Sequence, residues 1–317
     1  IASRTTTPPL LAGSGKGKKV VVLGAGLAGL TAAYELGKLG YEVQVLEARP
    51  YAGGRCQTAR KDFKLHELGG EAQQCRFDAG QYINHGPWRI PLDHQSTLYY
   101  ARQFKVPLEV MVNENDHAYV YLEDGGPLSK QRLRGAQIKA DMRGHVAELL
   151  AKSVTGHALD TQLTGDDQRL LLDYLKREGA LDAGDLAYKG RSGRGFATNP
   201  GAGLVPGAGT PSDPLAFHDL LAARVGKVYS AVQEFPMHAT MFQPVGGMDA
   251  IPRAFASRLG GRIRYHAEVQ RIRQGDDKVT IDVRDTASGA LSRVTADYCL
   301  CTVPLSVLRM IDTDFSD

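Results

Sequence analysis

Two sets of residues in this sequence have types and spacing suited to chemistry. The first is Gly24, Gly26 and Gly29 in the run LGAGLAGL. At G-x-G-x-x-G spacing, backbone N–H groups can meet a pyrophosphate with no Cβ in the way. Gly24 permits a tight turn, Gly26 a close phosphate, and Gly29 close packing of a helix on a strand. Glu47 ends the run YEVQVLE. A carboxylate there accepts both hydroxyls of an adenosine ribose and repels a 2′-phosphate, which argues against NADP. Gly53-Gly54-Arg55 again sets N–H groups beside a guanidinium, as a second anion cradle. The other set centres on Arg89, between Pro87 and Pro91 in GPWRIP. Prolines hold that segment extended, so the guanidinium is presented rigidly. It can grip a carboxylate through two parallel bonds; the alternative is an arginine in an ordinary salt bridge.

Such residues need elements to position them. Lys18, Lys19 and Val20–Leu23 read as a buried strand, Leu27, Leu30, Thr31, Tyr34 and Leu36 as a helix, and Tyr41–Glu47 as a second strand. In that order they make a β-α-β dinucleotide-binding unit. Residues 1–17, rich in Thr, Pro, Gly and Ser, read as a flexible N-terminal arm. A helix is expected near Gln95–Phe104. LEVMVN and HAYVYLED alternate like a pair of strands joined through Asn113–Asp116. From Ser129 to Gly179 the pattern is helical, through Ile138, Met142, His145, Val146, Leu149 and Leu150, then Leu170, Leu171, Tyr174 and Leu175. Phe196–Pro214 is a Gly- and Pro-rich stretch, either a lid or a surface loop. Pro244–Gly261 reads as a glycine turn followed by a helix, and strands fill the remainder.

With 317 residues and 43% hydrophobic content, the chain can bury a sizeable core in two domains or lobes. Its net charge of +3, with both signs dispersed, gives no reason to invoke nucleic acid or an anionic membrane. No apolar run approaches the ~18–20 residues of a membrane span. Cys56, Cys75, Cys299 and Cys301 have neither C-x-x-C nor metal-ligand spacing. They read as reduced thiols, no metal is expected, and the compartment would be cytoplasmic.

LGAGLAGLTAAYEL, VLEAR and AGGR together resemble the flavin-containing amine oxidase superfamily. NHGPWRIP, PVGGMDAIPRAFA, the Glu268-Val269 pair and ADYCLCTVPLSVL are similar to its L-amino acid oxidase branch. The matches run from residue 18 to about residue 308. The resemblance implies an α/β, Rossmann-like FAD-binding domain of the glutathione-reductase/amine-oxidase type, with a mixed-sheet substrate domain and an inserted helical domain. On this sequence, FAD-binding parts fall at 18–105 and 240–317, the second incomplete. Substrate-domain strands fall at 106–128, and the helical domain, with loop 196–214, at 129–239.

The resemblance also assigns roles. Gly24, Ala25, Gly26, Leu27 and Gly29 would line the FAD pyrophosphate. Glu47, Ala48 and Arg49 would hold the adenosine side, and Val269 the adenine edge. Gly53, Gly54 and Arg55 would approach the phosphates and flavin. Gly86, Pro87 and Trp88 would lie against the ring, with core packing as the alternative for Trp88. Arg89 would hold the α-carboxylate of an amino acid beside the flavin. His238, ahead of the Gly246-Gly247-Met248 turn, is a candidate catalytic polar group or else a structural histidine. Gln243 and Trp88 would line the substrate cavity.

The implied reaction takes hydride from Cα to FAD, releases 2-oxo acid and ammonia, and reduces dioxygen to hydrogen peroxide. Alternatives are a monoamine or polyamine oxidase, an amino-acid 2-monooxygenase, or a non-catalytic flavin-binding module. Family members continue past the position of residue 317 with a second FAD contact. A second polypeptide supplying that part, in a homo-oligomer of the assembly, is therefore expected.

Overall fold

The computed structural model describes residues 13–66, 70–190, 192–201, 203, 207–226 and 238–315. The chain divides into two units, Ile1–Asn113 with Phe235–Asp317, and Glu114–Glu234.

The first unit is built on strand β1 (Lys19–Leu23). Its KVVVL run is β-branched and buried on both faces, which is the composition of a central parallel strand. Helix α1 (Leu27–Lys38) follows, then β2 (Glu42–Leu46). β2 pairs parallel with β1 in the register Val20↔Val43 and Val22↔Val45. Two later strands, Ile263–Arg264 and Tyr298–Cys301, flank them and complete a four-stranded parallel sheet. Side chains alternate across that sheet. Val20, Val22, Val43 and Val45 join Leu30 and Ala33 of α1 and Ile251 and Phe255 of the helix Ala250–Leu259. Edge-to-face aromatics close this core, with Tyr34 and Phe104 rings 5.2 Å apart and Phe104 and Phe255 4.6 Å apart. Val21, Leu23 and Leu46 point the other way, into a core with Ala267, Ile272, Ile281 and Val283. That core is roofed by an antiparallel sheet of Ala267–Gln274, Val279–Asp285 and Leu291–Ala296.

Within the expected arm, Gly15 is tied to the sheet unit. Gly15 is buried and donates to the Leu39 carbonyl at 2.9 Å, and a Cβ there would collide with the Tyr41 ring. The rest of the arm, residues 1–12, lies outside the described residues.

Between the glycine turn and the second unit come β3 (Thr58–Arg60), β4 (Lys64–His66), β5 (Ala72–Gln74), β6 (Tyr82–Asn84), β7 (Ile90–Pro91), α2 (Gln95–Gln103) and β8 (Leu108–Met111). LEVMVN and HAYVYLED do not pair with each other. β8 pairs instead with the distant strand Met241–Pro244, whose other neighbour is β7. β9 (Tyr119–Tyr121), in the second unit, pairs with β10 (Arg132–Arg134). Alternation shows which face of a strand is buried but not which strand covers its edge. Leu108 and Phe242 pack against the α1 core, which favours the long-range partner.

The second unit carries β9, β10 and the helices α3 (Gly135–Thr155), α4 (Gly165–Glu178) and α5 (Phe217–Ala222). β10 falls inside the stretch expected to be helical. α4 starts at Thr164, whose hydroxyl accepts from the Asp167 N–H at 3.2 Å. Beside two apolar clusters, this unit also buries a polar group of side chains. Asp141 takes two bonds from Arg194, at 2.7 and 2.8 Å, one from the Tyr188 hydroxyl at 2.6 Å, and one from the Leu215 N–H at 2.9 Å. Both charged side chains are fully enclosed.

Candidate functional site

β1 delivers the chain to Gly24, which has φ +96°, a value open to glycine and strained for other residues. The Gly24 N–H donates to the Leu46 carbonyl at 2.8 Å, so the turn is fastened to the end of β2. A Cβ on Gly29 would lie 2.0 Å from the Gly24 carbonyl oxygen, so α1 can sit this close only with glycine there. Thr302, just after the strand Tyr298–Cys301, fastens the turn from the other side. Its N–H and its hydroxyl both donate to the Leu23 carbonyl, at 2.9 and 2.8 Å.

Gly26 is the N-cap of α1, with no side-chain cap and no acidic residue in the first turn. The positive end of the helix dipole is left for an external anion. Gly53 and Gly54 come against this turn. Gly26 and Gly53 form a parallel bridge, and the Gly53 N–H donates to the Ala25 carbonyl at 2.8 Å. A Cβ on Gly54, which has φ +58°, would lie 3.0 Å from the Gly26 Cα. The two glycine runs therefore make one cradle whose backbone packs too closely for side chains, and this fits a dinucleotide pyrophosphate.

Glu47, 8% exposed, lies beside that cradle, directly after β2. Its carboxylate accepts from the Ala25 N–H at 2.7 Å and the Arg49 N–H at 2.9 Å. Each oxygen keeps a second lone pair, so the group can still receive ribose hydroxyls. Arg49 reaches the Gly54 carbonyl at 3.2 Å. The Ala267 N–H donates to the Glu47 carbonyl at 2.8 Å, which places Val269, two residues further along the strand, at the same end of the sheet. Tyr265 also faces this end; burial, and then the Glu47 charge, push its hydroxyl above the usual tyrosine range. Glu47, Arg49 and the start of the Ala267–Gln274 strand thus meet at the carboxyl ends of the parallel strands.

The segment beginning at Gly86 is joined to the cradle through backbone packing. A Cβ on Gly86 would lie 2.0 Å from the Arg55 carbonyl oxygen. Pro87 is exposed and Trp88 is 55% exposed, so Trp88 is not a core residue. Arg89 is half-buried and leads into β7, where Ile90 is fully buried opposite Phe242. Continuing that antiparallel register by one residue sets Arg89 across from Gln243. Gln243 in turn donates to Glu109 of β8 at 2.7 Å. His238 lies exposed ahead of Met241–Pro244, and residues 231–237 before it are outside the described residues.

The Gly246–Asp249 turn is tied to β3 and β6. Asn84 accepts from the Met248 N–H at 2.9 Å and the Thr58 hydroxyl at 2.8 Å. Asp249 takes a two-pronged grip from Arg60, at 2.8 and 2.9 Å, and Arg60 also donates to the Gly246 carbonyl. Cys56 lies beneath, its thiol bonded to the Met248 carbonyl at 3.4 Å and pushed up to about 11 by burial and then the Asp249 charge. Sequence reading missed Thr58, Arg60, Asn84, Tyr265 and Thr302. Their partners lie up to 279 residues away, beyond any spacing rule.

Among the described residues no group of three or more His, Cys, Asp or Glu side chains could hold a metal ion, and no helix is long and apolar enough to cross a membrane.

L-amino acid oxidase Lm29 of Lachesis muta is 29% identical over 318 residues, covering 92% of this chain and 52% of that protein. The L-amino-acid oxidase of Protobothrops flavoviridis is 30% identical over 300 residues, covering 92% of this chain and 53% of its own length. The chain thus spans about half the length of these curated relatives. Wild-type putrescine oxidase bound to putrescine aligns with a TM-score of 0.48 and 18% identity, covering 94% of this chain and 60% of that one. A family model described as flavin containing amine oxidoreductase matches residues 27–316. On that match the chain belongs to the flavin-containing amine oxidoreductase family, and its cofactor is FAD.

Proposed function

We propose that this protein oxidises the Cα–N bond of an L-amino acid, giving a 2-oxo acid, ammonia and hydrogen peroxide. Arg89 is the observation that supports the reading. It is held between two prolines and one residue ahead of a buried strand, on the sheet that also carries Gln243. A guanidinium fixed in this way suits an α-carboxylate, which monoamines and polyamines lack. The names of the two relatives above agree with it.

FAD, when bound, supplies the acceptor for the two electrons that leave Cα. The chain supplies position. Gly24, Gly26, Gly29, Gly53 and Gly54 hold the pyrophosphate, and Glu47 holds the ribose. Arg89 fixes the carboxylate so that Cα is aimed in one direction, and Gln243 and Trp88 bound the side-chain space. The substrate amine must be neutral to react, and His238 is the residue proposed to take its proton.

Peroxide and 2-oxo acid release by the FAD-loaded protein, measured across L- and D-amino acids and their decarboxylated amines, tests this reading. Arg89→Ala should lower kcat/KM for the amino acid about 10- to 150-fold, the equivalent of a ~1.5–3 kcal/mol charge-assisted contact. Activity on the amine should not change. Equal loss on both substrates would remove the support for an amino acid, and an amide product would assign a monooxygenase.

A further inference from the structure

We infer, resting on the reading of Arg89 as the carboxylate anchor, that Glu109 selects a cationic side chain, so that the substrate is a basic L-amino acid of about lysine length. β7, the strand Met241–Pro244 and β8 lie side by side in that order. Gln243 is paired directly with Glu109, and the register of Phe242 with Ile90, continued by one residue, places Arg89 across from Gln243 on its other side. One row across three strands therefore reads cation, amide, carboxylate. Residues directly opposite in an antiparallel sheet share a face, and the bond from Gln243 to Glu109 at 2.7 Å shows that these two do.

Glu109 has no structural task that explains its charge. Glutamate is a poor strand former, and this one is exposed. Its bond from Gln243 comes from a neutral amide, and among the described residues it has no cationic partner. A carboxylate only accepts, so the amide must turn its NH2 toward Glu109, which holds Gln243 as a neutral spacer between the two charges. The next row, two residues along each strand, is Pro91, Met241 and Met111, and it is apolar. Pro91 and Met241 are buried, while the half-buried Met111 is left to meet methylene groups beside the Glu109 carboxylate. A basic amino acid has this order of parts: carboxylate, apolar stem, cation.

The lengths agree. Strands are ~4.8 Å apart, so the row spans about 10 Å. The carboxylate carbon and side-chain nitrogen of extended lysine are about 7 Å apart, and a hydrogen bond at each end brings the reach to the order of the row. A neutral side chain would cover the Glu109 carboxylate without neutralising it, and an acidic one would set a second negative charge beside it.

Binding to the FAD-loaded protein tests the inference apart from turnover. 6-Aminohexanoate carries the carboxylate and terminal ammonium of lysine but no α-amine to oxidise, and hexanoate lacks the ammonium. By calorimetry 6-aminohexanoate should bind about tenfold more tightly than hexanoate, the worth of one charge-assisted bond at a partly exposed site. Glu109→Gln should bring the two probes within about twofold of each other, and Arg89→Ala should weaken both about tenfold or more. In turnover, kcat/KM for L-lysine should exceed that for L-norleucine about tenfold, and Glu109→Gln should abolish the difference. Equal binding of the two probes by the unaltered protein, a preference for 6-aminohexanoate that survives in Glu109→Gln, or norleucine oxidised as well as lysine would each overturn the assignment of Glu109 and leave Arg89 as the anchor. Failure of both probes to bind, or equal binding with and without Arg89, would instead remove the anchor on which both readings stand.

Discussion

Replacing Asp141 with Ala removes the centre of the polar core in the second unit. Four bonds end on this one carboxylate, from Arg194 twice, from the Tyr188 hydroxyl and from the Leu215 N–H. Asp141 and Arg194 are both fully enclosed, so water cannot stand in for the lost partner. Breaking a buried pair from one side is destabilising by about 3–5 kcal/mol, because an uncompensated charge is left inside. An orphaned hydroxyl and an orphaned N–H each add about 1–3 kcal/mol at most, and neighbouring terms of this kind do not sum fully. The substitution should therefore remove at least about 4 kcal/mol, a large part of the ~5–15 kcal/mol that holds a typical domain. Arg194 also donates to the carbonyl of Ser212 at 2.5 Å. Asp141 thus fastens the chain on both sides of the Gly- and Pro-rich stretch between them. Urea unfolding followed by circular dichroism, with hydrogen exchange read on Gly135–Thr155, measures the effect. Asp141→Leu combined with Arg194→Met should recover most of the loss, since the buried charge is then gone. A loss below about 1 kcal/mol in Asp141→Ala, or a double variant no better than the single, would refute the reasoning.

Two further outcomes follow from the first unit. Gly29→Ala should fold with α1 displaced from the Gly24 carbonyl and should elute from gel filtration without flavin absorbance; retention of one FAD per chain would show that the close approach is dispensable. The Lys19 N–H and then the Lys278 ammonium lower Asp297 to about 2, so it stabilises the fold above the ordinary aspartate value and that contribution is lost as pH falls through about 2. Asp297→Asn should flatten the urea midpoint against pH between about 4 and 2, and an unchanged slope would contradict the assignment.

What could be read from the sequence depended on whether a requirement was local. Gly24, Gly29 and Glu47 were legible because a tight turn, a close helix and a carboxylate at a strand end are conditions on neighbouring backbone. Arg60 was not legible, because its meaning comes from Asp249, 189 residues later. Asp141 sits among the apolar residues of α3, one turn from Ile138. A carboxylate there signals a buried partner, but Arg194 in GRSGRGF reads as a surface cation until the fold encloses it. The alternation of LEVMVN marked β8 as a strand but not its buried face, since Val110 is 60% exposed, and its partner was decided by where Phe242 finds apolar cover.

Arg89 shows how the two kinds of information combine. Pro87 and Pro91 make the segment stiff, and that much is local. Stiffness alone leaves the direction of the guanidinium undefined. Ile90, fully buried opposite Phe242, anchors the strand, and continuing its register places Arg89 across from Gln243. The position of the arginine proposed to bind a carboxylate is therefore set by a two-residue strand and one buried isoleucine, not by the arginine itself.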